Sequence, residues 1–295
     1  MQGSVPSQAR VAPPLSVADL QQMAARIRTD IIRMTHAAGE GHPGGSLSAT
    51  DMMTALYFRV MRIDPARPDW PARDRFILSK GHACPAWYSA LAERGYFGAE
   101  HLTTLRCCDS LLQGHPDMCK TPGIDMSAGS LGHGLSAGLG MALAARVQGQ
   151  EYRVWVIIGD GESQEGSIWE AAMAAAAFKV DNLTVITDRN RIQNDDFIDN
   201  ILPMGDLAAK WRAFGWHTLE IDGHDMAQVV EALEASRSVV GQPTMIIAET
   251  VKGKGVSFME NNPLWHGRAP NDDEAEQALA EIAEAAGWEG EYVCR

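Results

Sequence analysis

No stretch of this sequence is apolar for long enough to cross a bilayer. The longest apolar run, residues 171–178, falls far short of the roughly 20 residues that a spanning helix needs. Basic residues are also scarce, 25 Lys and Arg against 38 Asp and Glu, for a net charge of −13. That balance excludes nucleic acid and anionic membranes as expected partners, because both attract basic patches. Cysteines are few, five in 295 residues, and none stand in a C-x-x-C pair. Their odd number points to reduced thiols and a cytoplasmic protein. Cys107, Cys108, His115 and Cys119 lie close in sequence but match no usual zinc spacing, so the thiols are read as buried or half-buried. Residues 1–16 hold three prolines and no apolar core of a signal peptide. They are expected to form a flexible leader ahead of one domain over 17–295.

What the sequence does have is alternation. Residues 75–79, 154–158, 183–187, 217–221 and 244–249 are short apolar runs, most rich in β-branched and aliphatic side chains. Most lack clear polar alternation, as strands covered on both faces do. Residues 17–37, 135–148, 167–179, 226–236 and 273–286 read as helices, with Ser167 and Glu170 spaced for a capping box. Strands alternating with helices predict an α/β fold, a mainly parallel central sheet with helices on both faces. In such a fold, ligands bind where strands end and loops enter helices.

Two of those loops carry matching chemistry. One strand ends in Gly159-Asp160-Gly161, and the next ends in Asp188-Arg189-Asn190-Arg191-Ile192. Glycines admit a close ligand, while Asp160 and Asn190 offer hard oxygens to Mg2+ or Ca2+, which take further ligands from phosphates and water.

This pattern resembles thiamine diphosphate enzymes. Further loops narrow the resemblance to the transketolase family: Gly41-His42-Pro43-Gly44-Gly45, Ser79-Lys80-Gly81-His82, Gly114-His115-Pro116, Gly129-Ser130-Leu131-Gly132-His133-Gly134, Lys252-Gly253-Lys254-Gly255 and Leu264-Trp265-His266-Gly267. The motifs run from about residue 39 to 267. The resemblance implies the thiamine diphosphate-binding fold. It also implies a metal held by the side chains of Asp160 and Asn190 and the carbonyl of Ile192. It places His82, Gly129, Ser130, Leu131, Asp160, Gly161, Glu165, Asn190 and His266 at the cofactor. It puts His42, His115 and His266 along the substrate channel as catalytic residues, since imidazoles exchange protons near neutrality. Glu165 and Glu170 occupy positions that the family sets near a subunit contact. His133 is left without a role, because many relatives carry glutamine there. Glu40 stands where the family usually has a small residue; it either shapes the site or points to solvent.

Full-length transketolases continue with a domain that binds the aminopyrimidine ring. Its absence here implies a separate partner, the C-terminal transketolase subunit, in a heterotetramer with two copies of each. The expected activity is transfer of a two-carbon ketol unit between ketose and aldose phosphates. Alternatives are another thiamine diphosphate reaction, a transketolase for an unusual sugar, or a non-catalytic regulatory subunit.

Overall fold

The computed structural model describes residues 13–288. The chain opens with α1 (Val17–Ala38), capped by Ser16, whose hydroxyl accepts from the Asp19 N–H. Just ahead of it, the Leu15 N–H donates to the Phe58 carbonyl, so the last residues of the expected leader are tied to the core. Residues 1–12 lie outside the described residues. There follow α2 (Pro43–Ala55), β1 (Arg75–Leu78), α3 (Cys84–Arg94), α4 (His133–Val147), β2 (Val154–Gly159), α5 (Gly166–Ala177) and β3 (Leu183–Arg189). After a small antiparallel pair, β4 (Ile192–Gln193) and β5 (Asp196–Phe197), come the short α6 (Ile198–Ile201), α7 (Leu207–Ala213), β6 (His217–Asp222), α8 (Met226–Ser236), β7 (Thr244–Glu249) and α9 (Asp272–Ala285).

Five strands form one sheet in the order β1-β2-β3-β7-β6, all parallel. The expected α/β architecture is therefore present, and the strand sequences show why. Successive side chains point to opposite faces. In β2, Trp155 and Ile157 enter a core built with α1, α2, α3, α8 and α9. Val154, Val156 and Ile158 enter a second core with α4, α5 and α7. β7 divides in the same way, Ile246 and Ala248 against Met245 and Ile247. Both faces are covered, so no polar residue interrupts these runs.

Some local expectations are corrected. α5 begins at Gly166, with Glu165 as its N-cap and no side-chain cap bond. Ser167 is thus already inside the first turn and forms no capping box. The capping box belongs to α9, where Asn271 and Glu274 cap each other's backbone N–H groups. α4 starts at His133, two residues earlier than its apolar pattern indicated. Cys107, Cys108 and Cys119 are exposed rather than buried or half-buried, because they sit on surface loops; only Cys84 of the described cysteines is buried. Cys294 lies outside the described residues. No described helix is long and apolar enough to cross a membrane.

Candidate active site

The carboxyl ends of β1, β2, β3 and β7 converge, and the loops leaving them carry the polar side chains. Lys80, two residues past β1, donates from Nζ to the Gly45 carbonyl at 2.9 Å and forms an ion pair with Asp188 near the end of β3. Asp188 is fully buried and also accepts from Ser48 Oγ at 2.6 Å, from Asn190 Nδ2 at 3.3 Å and from Thr250 Oγ1. That single carboxylate joins the loops after β1, β3 and β7 to α2. A buried charge survives only when paired and hydrogen-bonded in this way.

A second buried carboxylate fixes the loops on the other side. Glu162 accepts from the Gly159 N–H at 2.9 Å, from the Gly132 N–H at 2.8 Å and from Ser79 Oγ. It thereby locks the end of β2 to the glycine-rich loop before α4. There is no room for more: a Cβ at Gly134 would lie 2.4 Å from Ser79 Oγ.

Asp160 sits between these anchors, 4% exposed. Its oxygens accept from the backbone N–H groups of Arg191 at 2.6 Å and Gly161 at 2.9 Å, and among the described residues no side-chain cation forms an ion pair with it. Burial and the neighbouring Asp188 push its carboxyl up to about 7. Asn190 and Ile192 are buried beside it, and Asn190 Oδ1 accepts from the Ile192 N–H at 3.2 Å. The Ile192 carbonyl accepts from Lys252 Nζ at 3.2 Å. Among the described residues no cluster of three His, Cys, Asp or Glu side chains is placed to hold a metal. The oxygens gathered here are one carboxylate, one amide and one carbonyl. Such a set suits a hard cation that draws its other ligands from phosphate and water, and that cation would offset the buried charge of Asp160.

Three imidazoles stand over these groups. The ring centroids of His42, His82 and His266 lie 5.1 Å (His42–His82), 5.3 Å (His42–His266) and 5.0 Å (His82–His266) apart. Lys252 Nζ is 2.6 Å from His266 Nδ1. Burial and the cations beneath hold all three rings below the ordinary histidine range, His42 to about 4 and His266 to about 3. Burial, with Lys80 nearby, also lowers Lys252 to about 7. Near neutral pH the rings are uncharged, each with one nitrogen to donate and one to accept.

One cavity of about 320 Å³ is lined by His82, Leu131, Asp160, Gly161, Glu165, Asn190, Ile192 and His266, all singled out from sequence. His42 does not line it, but its ring packs against those of His82 and His266. His115, Gly129 and Ser130 do not line it; they are exposed on two adjoining loops, where a Cβ at Gly129 would sit 4.0 Å from the His115 ring. Glu170 and His133 are exposed outside the cavity. Sequence reasoning missed Lys80, Asp188, Glu162 and Lys252. Each lies inside or next to a motif already noted; for Lys80 and Asp188, a charged residue immediately after an apolar run was the available signal.

A family profile described as the transketolase, thiamine diphosphate binding domain, matches residues 20–293. The chain belongs to the transketolase family. It is 47% identical over 264 residues to a 6-deoxy-6-sulfo-D-fructose transketolase subunit of Clostridium sp. (strain MSTE9), covering 90% of this chain and 96% of that protein. It is 43% identical to one of the apulose-4-phosphate transketolase subunits of Actinobacillus succinogenes, covering 91% and 97%. The solved transketolase of Campylobacter jejuni superposes with a TM-score of 0.86 at 30% identity, covering 93% of this chain and 43% of that one. Human transketolase is 40% identical, and the chain spans 42% of its length.

Proposed function

We propose that this chain is the diphosphate-binding subunit of a two-subunit transketolase, moving a two-carbon ketol unit between ketose and aldose phosphates. The observation that carries this reading is the cavity in which Asp160, Asn190 and Ile192 lie beneath the trio of neutral imidazoles. Asp160, Asn190 and the Ile192 carbonyl would hold a magnesium or calcium ion, with Lys252 releasing that carbonyl. Gly161, His82, Leu131, Gly129 and Ser130 would hold thiamine diphosphate, which when bound supplies the electron sink for carbon–carbon bond cleavage. His42 and His266 would orient the sugar and exchange protons with its oxygens, and His115 would do so from the channel mouth. Their depressed basicity suits that work, because a neutral ring can accept a proton and return it.

The separate partner subunit is supported by relatives that are named as subunits and are covered over nearly their whole length. That subunit would supply the pyrimidine-binding domain, in a cytoplasmic assembly with two copies of each chain. The same relatives favour a second reading of the substrate, a sulfonated or branched sugar in place of a common pentose phosphate. The test is calorimetric titration of this chain with thiamine diphosphate and magnesium. Asp160→Ala is expected to weaken cofactor binding by at least about tenfold, as the loss of even an outer-sphere partner does at metal sites. Equal affinity in the variant would remove Asp160 from the site.

A further inference from the structure

An ion pair at the mouth of the imidazole site has no part in holding the cofactor. Glu40 precedes His42 by two residues, in the turn between α1 and α2, and its Oε2 forms an ion pair with Arg106, 2.9 Å from Nε. Arg106 comes from the opposite wall. Its backbone lies at a positive φ of 63°, and its N–H donates to the Leu112 carbonyl at 2.9 Å. The chain turned in this way lays the guanidinium on the backbone just before His115: a Cβ at Gly114 would be 2.9 Å from Arg106 Nη1. The charge of Arg106 weighs on both His42 and His115.

Stability does not account for the pair. Glu40 is 65% exposed and Arg106 37%. Exposed pairs contribute little, less than left-handed backbone costs at a residue other than glycine. What the pair does is hold a rigid fork. With Nε engaged by Glu40, the terminal nitrogens of Arg106 make no hydrogen bond to any described residue, and neither does Glu40 Oε1. Four N–H donors on two nitrogens, and one carboxylate oxygen, are therefore left open next to the loops that carry His42 and His115. That is the complement of sugar hydroxyls, which donate and accept at once.

We propose that the Glu40–Arg106 pair is a specificity determinant that binds neutral hydroxyls of the sugar beside His42 and His115 and repels an anionic group at that depth. The proposal rests on the transketolase reading given above. Attraction comes from the free Arg106 nitrogens, and rejection from the Glu40 carboxylate, so selectivity has both an attractive and a repulsive part.

The experiment compares wild type, Glu40→Gln and Arg106→Lys, each assembled with the partner subunit, thiamine diphosphate and magnesium. Glycolaldehyde, which is neutral, and glyoxylate, which is anionic, serve as acceptors. Glu40→Gln keeps an acceptor oxygen and removes the charge; its ratio of kcat/KM for glyoxylate over glycolaldehyde is expected to rise about tenfold, as one lost repulsion predicts. Arg106→Lys keeps the cation and loses the fork, so KM for hydroxylated sugars should rise several-fold while kcat changes less. An unchanged acceptor ratio and unchanged KM in both variants would overturn the proposal, as would a fall in the unfolding midpoint as the sole effect. A second readout needs neither partner nor activity. The His115 ring resonance of Glu40→Gln, followed by NMR, should titrate at lower pH than wild type, because Glu40 no longer offsets Arg106; an unshifted titration would contradict the pair's placement. A wild-type complex that transfers nothing to any aldehyde would instead refute the proposed function, leaving the titration to judge the pair.

Discussion

Lys80 and Asp188 are 3% and 0% exposed as side chains, and they form the charged floor of the site. Asp188 also takes three hydroxyl or amide donors, so its burden is shared by Ser48, Asn190 and Thr250. Asp188→Asn would leave the Lys80 ammonium buried without its ion-pair partner. Breaking one side of such a pair costs about 3–5 kcal/mol. The expected result is a fall in the unfolding midpoint on the order of ten degrees, read by scanning calorimetry. A change of a degree or less would show that water or a loop shift compensates. Asp160 and Asn190 were legible in the sequence because glycines and strand ends frame them. Asp188 was not, because its partner Lys80 lies 108 positions away and only the folded sheet brings them together. The separation also explains Glu162: its three donors come from three loops, which no single window contains.

Among the elements, α2 is the one on which the site depends most. All its residues from Pro43 to Ala55 are buried, and its first turn runs against the loop that carries His266. Contact there is as close as backbone allows. The Gly253 N–H donates to the Gly44 carbonyl at 3.0 Å, and a Cβ at Gly44 would lie 2.6 Å from the Trp265 carbonyl. Backbone cannot yield as a flexible side chain does, so Gly44→Ala should part the His42 and His266 loops. A loss of about 1–3 kcal/mol is expected from such overpacking, with ketol transfer falling further than stability does. Normal activity in a destabilised variant would show that the two loops need not touch. The total burial of α2 explains why the sequence hid it. A helix covered all round has no polar stripe, and its Gly, Ser and Thr residues read as a loop. α3 escaped for the same reason, since Cys84–Ala92 are buried without a break. The strands were visible because apolar runs about five residues long, bounded by polar turns, leave few alternatives. α1, with one buried face along its 22 residues, was visible too.

At the scale of the molecule, the parallel sheet gathers four loops at one edge, and everything the proposed chemistry uses lies there. Order along the sheet does this: β2 and β3 are central neighbours, with β1 and β7 beside them, so Asp160 and Asn190 end side by side. The chain spans about two fifths of the human and Campylobacter jejuni transketolases, and nearly the whole of relatives named as subunits. On the proposed reading, the activity needs a second chain. The most direct measurement is ketol transfer from xylulose 5-phosphate, or a sulfonated or branched ketose, to an aldose phosphate, with thiamine diphosphate and magnesium present. It is made on this chain alone, on the partner alone and on the mixture. The account predicts transfer in the mixture only, abolished by Asp160→Ala in this chain. Transfer by this chain alone, or a mixture that stays active with Asp160→Ala, would contradict it.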